Sequence, residues 1–237
     1  MFNILKLAAR NLKRYKRRTF LTAMLITLVL LGKTLERRAK GRVLEVGIGS
    51  GLNLPFYDSA KVEHVWGLDP SKELWALAEK TAAQVNLHVE FIRGRAEDIP
   101  LNDRSADTVL VTYSLCSVRA ILPALREMRR VLKPDGQLIF CEHGAAPDAA
   151  VRQWQNRLNP IWKRIAGGCN LNLPVPHLLE QAGFKIWEMD SMYLPGWKPA
   201  TFNYWGAAGP ACLHLSADSI AGSEHSRVKS DEWRKNP

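Results

Sequence analysis

The segment VLEVGIGSG places Glu45 two residues before a glycine run at Gly47, Gly49 and Gly51. Val43 to Val46 reads as a buried strand. Glycines directly after a strand let the backbone turn sharply and approach a ligand where a Cβ would clash. A nucleotide-like cofactor would lie there, outside the carboxyl end of the first strand. The dinucleotide fingerprint G-x-G-x-x-G needs a third glycine at 52, where Leu52 stands, and the Gly-Lys-Ser/Thr of a P-loop is absent. A carboxylate at Glu45 is unfavourable beside a pyrophosphate but suits a sulfonium and an α-amino group. The charge pattern favours S-adenosyl-methionine over NAD.

Asp69 ends a second strand in VWGLDPS, with Pro70 after it, where an acid can accept two hydrogen bonds from a ribose diol. The bland alternative for Asp69 is a helix N-cap. Gly94 to Asp98 follow a third strand, where backbone amides and an acid can read an adenine edge. Methyl transfer from a sulfonium is an in-line displacement that asks for positioning more than for a dedicated catalyst. Candidates near the open end of the sheet are Tyr113, Ser114 and Cys116 after a fourth strand, and Glu142 with His143 after a fifth. His143 titrates near neutral pH and could take a proton from the acceptor; a structural histidine is the alternative. Cys116 and Cys141 read as core thiols. The cysteines at 116, 141, 169 and 212 form no C-x-x-C pair, which argues for reduced thiols and against a structural zinc site, so no metal is expected.

These groups need an alternating strand and helix frame, and the pattern from Arg42 supplies one. Strands are predicted at 42–46, 64–68, 88–93, 107–112, 137–142, 184–191 and 200–205. Helices are predicted at 51–58, 71–84 and 120–132, with Lys133-Pro134-Asp135-Gly136 as a turn ending the third. A Trp-bearing amphipathic stretch covers 151–166, and a short helix 177–182. Trp154, Trp162, Tyr193, Trp197 and Trp205 offer a wall for an apolar or amphiphilic acceptor, with core packing as the alternative.

The formal net charge of +10 is unevenly placed: residues 1–42 hold 12 Lys and Arg against the single acid Glu36, so the remaining body is close to neutral. A neutral body offers no phosphate-tracking surface, which sets a nucleic-acid-modifying enzyme with a basic arm below other readings. The apolar run from Phe20 to Leu31 is short for a transmembrane helix, and with its basic neighbours it suits an anionic membrane surface or an ordinary amphipathic helix. The expected layout is a basic and apolar helical extension over 1–41, an enzyme domain over 42–208 and a disordered polar tail over 209–237. The expected location is cytoplasmic, at the inner face of a membrane.

From Arg42 to Ala208 the chain resembles the type 11 class I S-adenosyl-methionine-dependent methyltransferases. It is nearest to the branch holding phosphatidylethanolamine N-methyltransferase-like bacterial proteins and animal thiol methyltransferases. The motifs are VLEVGIGSGLNLPFY, GLDPS, AEDIPL, DTVLVTYSLCSV, EMRRVLKPDGQLIFCEHG, GGCNLN, LLEQAGF and NYWGAA. The resemblance implies a Rossmann-like α/β fold: a seven-stranded, mostly parallel sheet with one antiparallel strand and helices on both faces. It implies Glu45 and the glycines near the methionine moiety, Asp69 on the ribose, and Ala96 with Glu97 near the adenine. Arg95 stands where many relatives carry an acid, so the adenine contact falls to the backbone of Ala96 and Glu97. Residues 1–31 instead resemble the amino terminus of a transporter permease of the lipoprotein-release type. The implied activity is methyl transfer to an N, S or O nucleophile of a small-molecule or lipid acceptor. An idle cofactor-binding fusion protein is the remaining alternative.

Overall fold

Aliphatic and β-branched runs such as Val43–Val46 and Val109–Val111 are buried on both faces, as a parallel sheet covered on both sides requires. The computed structural model describes residues 36–194 and 196–211. The expectations for residues 1–35 and for the tail from 212 lie outside the described residues. Seven strands form one sheet: β1 (Gly41–Val46), β2 (Val62–Asp69), β3 (Val89–Arg93), β4 (Ala106–Thr112), β5 (Leu132–His143), β6 (Phe184–Tyr193) and β7 (Phe202–Pro210). Their order is β3-β2-β1-β4-β5-β7-β6. Only β7 runs against its neighbours. The order reverses between β1 and β4, and a crevice opens outside the carboxyl ends of strands at such a switch point.

The longer helices are α1 (Trp75–Ala82), α2 (Ile121–Val131), α3 (Ala149–Ile165) and α4 (Val175–Gln181). Alternation along each strand splits the core into two layers. Leu44, Leu68, Val109 and Phe140 pack with Leu125 and Met128 of α2 and Leu179 of α4. Val43, Val65, Leu110 and Ile139 face the other way, where Ile48, Leu54 and Tyr57 meet them and Ala82 of α1 packs on them. The Rossmann-like α/β architecture with one antiparallel strand is therefore the observed one.

Three local expectations are corrected. The helix expected at 51–58 is a single 3-10 turn at Leu54–Phe56, because Gly51 has a φ of +74° and Pro55 lies within the turn. Lys133–Gly136 does not form a free turn but opens β5, absorbed by a register irregularity opposite Ala106–Thr108. The final strand begins at Phe202 and runs to Pro210, past the expected ends at 205 and 208.

Candidate functional site

A cavity of about 710 Å³ opens at the switch point, lined by the ends of β1, β2 and β4 and by the loops after β1, β2, β3 and β4. Its wall includes Glu45, Gly47, Gly49, Asp69, Pro70, Ala96, Glu97, Tyr113 and Ser114. Four strands thus bring together nine of the residues singled out by spacing.

The glycine loop adopts the left-handed conformation at all three glycines, with φ of +78° at Gly47 and +53° at Gly49. At Gly47 a Cβ would lie 2.0 Å from Ser114 Oγ, so only glycine lets the loops after β1 and β4 touch. The amide of Gly49 donates to Asp69 Oδ2 at 3.0 Å, and that of Ser71 to Asp69 Oδ1 at 2.8 Å. Asp69 therefore holds the glycine loop as well as facing the cavity. Gly51 is not on the wall: its Cα packs so near Ala78 of α1 that a Cβ would approach within 3.2 Å of it. Its role is the turn and the helix contact rather than ligand contact.

Glu45 is almost fully buried, and its two oxygens accept hydrogen bonds from Asn53 Nδ2 at 2.9 Å and Tyr57 Oη at 2.8 Å. Asn53 also donates to Thr112 Oγ1 at 3.0 Å, tying the loop to β4. These polar donors inside LNLPFY were not expected from the sequence. The motif was visible, but nothing in the spacing says that its amide and phenol turn back on Glu45. The loop carrying Ala96 and Glu97 is braced in a similar way: Arg130 of α2 donates to the carbonyls of Ile99 and Leu101, and Glu127 accepts the Ile99 amide. Glu97 itself accepts the amide of Ala120 at 3.1 Å, just before α2.

Tyr113 sits on the wall with a φ of +48°, and its hydroxyl donates to Asn203 Oδ1 at 2.8 Å. Burial, with Cys141 and Glu142 nearby, pushes that hydroxyl well above its usual range, so it stays protonated. His143 is 6% exposed and lies behind Tyr113, ring centroids 6.2 Å apart, rather than on the cavity wall. Its Nε2 meets the Asn170 carbonyl at 2.9 Å and Cys169 Sγ at 3.0 Å. Direct proton removal from an acceptor in the cavity is thus not what its position offers. Glu142 is fully buried; Ser114 and Leu115 donate their amides to its Oε1 at 2.6 and 2.8 Å. Burial pushes its carboxyl up to about 7, against the opposing pull of His143 and those two amides.

The aromatic wall expected from Trp154, Trp162, Tyr193, Trp197 and Trp205 is absent from this cavity; Trp154 and Trp197 are half-exposed elsewhere. Ser117, Val118, Arg119 and Gly167 line that side instead, with Arg95 on the adjoining loop. No charge pattern along the chain singles out Arg119, which reaches the site only through the turn after β4. The enclosed glycine loop, the two acids and the cavity size fit a nucleoside carrying a cationic amino-acid tail.

Residues 44–140 match the methyltransferase domain family. The chain is 36% identical to human thiol S-methyltransferase TMT1B over 178 residues, covering 72% of each chain. It is 35% identical to human thiol S-methyltransferase TMT1A over 158 residues, 65% of this chain and 64% of that one. The fold matches the crystal structure of YcgJ from Bacillus subtilis with a TM-score of 0.56 and 20% identity, over 76% of this chain and 94% of the other. The site and these relatives agree, and the chain belongs to the class I S-adenosyl-methionine-dependent methyltransferases, enzymes that take their methyl group from S-adenosyl-methionine, here for a small-molecule acceptor.

Proposed function

We propose that this enzyme methylates the sulfur of a small thiol. The observation that carries the reading is the likeness to thiol S-methyltransferase TMT1B over 72% of both chains. The cavity is compatible with it. S-adenosyl-methionine supplies an electrophilic methyl group on a sulfonium, and the acceptor must present a lone pair. An amine is mostly protonated at neutral pH and needs a base, whereas a thiol with a pKa of about 8.5 is already a few per cent thiolate. The carboxylates on the cavity wall are engaged by the chain, Glu45 by Asn53 and Tyr57, Asp69 by the amides of Gly49 and Ser71, and Glu97 by the amide of Ala120, while Tyr113, Ser117, Val118 and Gly167 line the wall beside them. Arg95 and Arg119 on the wall favour the anionic form of an acceptor by their charge.

In this reading Glu45 and the loop of Gly47 and Gly49 hold the methionine end of the cofactor. Asp69 takes the ribose, Pro70 flanks it, and Ala96 and Glu97 meet the adenine. Ser114 fixes the loop spacing through its contact with Gly47. The decisive assay offers matched aliphatic thiol, amine and alcohol acceptors to the full chain with S-adenosyl-methionine and detects products by mass spectrometry. The thiol alone should yield a methyl thioether; methylation of the amine without the thiol would reverse the assignment.

A lipid-borne acceptor and an anionic membrane surface bound through residues 1–40 extend the same reading. The 12 basic residues within 1–42 support it, since they stand against one acid. No helix among the described residues is long and apolar enough to cross a membrane. Flotation with phosphatidylserine vesicles should be lost on removing residues 1–40, and flotation of the truncated chain would rule the surface out.

A further inference from the structure

Behind the acceptor side of the cavity three soft or borderline donors converge from segments far apart in the chain. Cys116 lies in the 3-10 turn after β4, His143 ends β5, and Cys169 follows α3. One ligand atom from each lies within 4.8 Å of the other two. All three residues are buried: Cys116 is 2%, His143 6% and Cys169 9% exposed. We propose that Cys116, His143 and Cys169 form a binding site for a zinc ion.

The donor set selects the metal. Two sulfurs and an imidazole exclude magnesium and calcium, which take oxygen ligands, and match the ligands of tetrahedral zinc. Charge supports the same choice, because two thiolates neutralise one divalent cation and a neutral centre is tolerable at this depth. The surroundings resemble a metal shell more than a hydrophobic core. Trp162 Nε1 donates to Cys169 Sγ at 3.4 Å, a bond a zinc-bound thiolate keeps. Asn170, next to Cys169, donates its side-chain amide to the Cys116 carbonyl at 2.8 Å, and its own backbone amide reaches the same carbonyl at 2.9 Å. These bonds fix the loop that carries one sulfur onto the turn that carries the other. Binding replaces the contact of His143 Nε2 with the Asn170 carbonyl, and protons still held by the sulfurs pass to solvent.

Ligand spacings of 27 and 26 residues give no zinc-finger pattern, so the spacing argument against zinc applies to neighbours in sequence and not to this convergence. The site also has a structural consequence. Ser117 and Gly167 line the cavity and lie one residue from Cys116 and two from Cys169 in the chain, so the ion would pin the acceptor wall to β5.

The test uses the full chain, stripped with a chelator and reloaded with one equivalent of zinc or cobalt(II). Zinc X-ray absorption should show two sulfurs at about 2.3 Å and nitrogen at about 2.0 Å. Cobalt should give the intense visible bands of a tetrahedral thiolate site. Cys116→Ser and Cys169→Ser should each weaken binding at least about tenfold, while Cys141→Ser with Cys212→Ser leaves it unchanged. Retained S-adenosyl-homocysteine binding checks that each variant is folded; for any that is not, the absorption spectrum of the unaltered chain decides. Failure of that chain to bind zinc, a shell of nitrogen and oxygen only, or loss of the sulfur signal in the Cys141/Cys212 control would each overturn the site.

Discussion

The amide of Gly49 donates to Asp69 Oδ2 at 3.0 Å, so the acid that ends β2 sets the shape of the glycine loop that follows β1. One carboxylate thus holds the loop and faces the cavity. Asp69→Ala should weaken S-adenosyl-homocysteine binding by about 2 kcal/mol or more, roughly 30-fold, as for a charge-assisted hydrogen bond. Calorimetric titration of the two proteins reads this directly, and equal affinities would remove Asp69 from the site.

Gly47 and Ser114 make a second such coupling. A Cβ at Gly47 would lie 2.0 Å from Ser114 Oγ and 2.7 Å from its Cβ, and a left-handed φ of +78° adds about 1–2 kcal/mol of backbone cost. Gly47→Ala should therefore reduce S-adenosyl-homocysteine affinity at least about tenfold. Adding Ser114→Gly should recover part of that loss, since the two positions share one space. Strictly additive losses would show that the contact does not limit the loop.

What the sequence revealed follows from the range of the forces involved. Strand runs such as Val43–Val46 and the glycine spacing are local, and both appear where expected because burial and left-handed φ act on consecutive residues. The missing helix at 51–58 shows a local rule overruled by Gly51 and Pro55. Asn53 on Glu45, Gln155 on three loops, and Cys116 beside Cys169 depend on contacts between distant segments. No period or spacing encodes those, and His143 is of the same kind: its type allows either a catalytic or a structural role, and only the fold places it behind Tyr113.

Tyr113 reaches the cavity, is held protonated by burial and is tied to Asn203, an arrangement that suits positioning rather than proton transfer. Tyr113→Phe should retain methyl transfer within about tenfold, since one net hydrogen bond is worth about 1 kcal/mol. The pH profile of kcat should keep its shape. A lost basic limb in that profile would mean that the phenol takes part in proton transfer.

Asp107 on β4 links the β1 amide of Arg42, at 2.9 Å, to the side chain of Lys133. Burial opposes its ionisation, but the bonds from Lys133 and Arg42 prevail and hold its carboxyl below the usual range. A depressed folded value contributes stability above the unfolded pKa of about 3.9, and that contribution is lost as pH falls through the folded value. Asp107→Asn should be less stable than the native chain at neutral pH, with the gap closing below about pH 4. Urea midpoints across that range measure it; a gap independent of pH would deny the ion pair any role.

Gln155 is a polar residue 1% exposed on α3. Its Oε1 accepts the Ala146 amide at 2.9 Å, and its Nε2 faces the carbonyls of Gly144, Leu171 and Pro199 at 2.9 to 3.0 Å. Three loops after β5, α3 and β6 therefore meet on one side chain. Gln155→Leu keeps similar bulk but strands the Ala146 amide and the carbonyls without partners, at about 1–3 kcal/mol for each group left unsatisfied. Relaxation towards water should limit the net loss to about 3 kcal/mol, read as a lower urea midpoint at constant m-value. Because the loop after α3 also carries Gly167 of the cavity wall, KM for the acceptor should rise while S-adenosyl-homocysteine affinity changes little. If cofactor affinity fell as far as acceptor affinity, the loops would be coupled to the glycine side as well, and Gln155 would be a residue of the whole fold rather than of the acceptor wall.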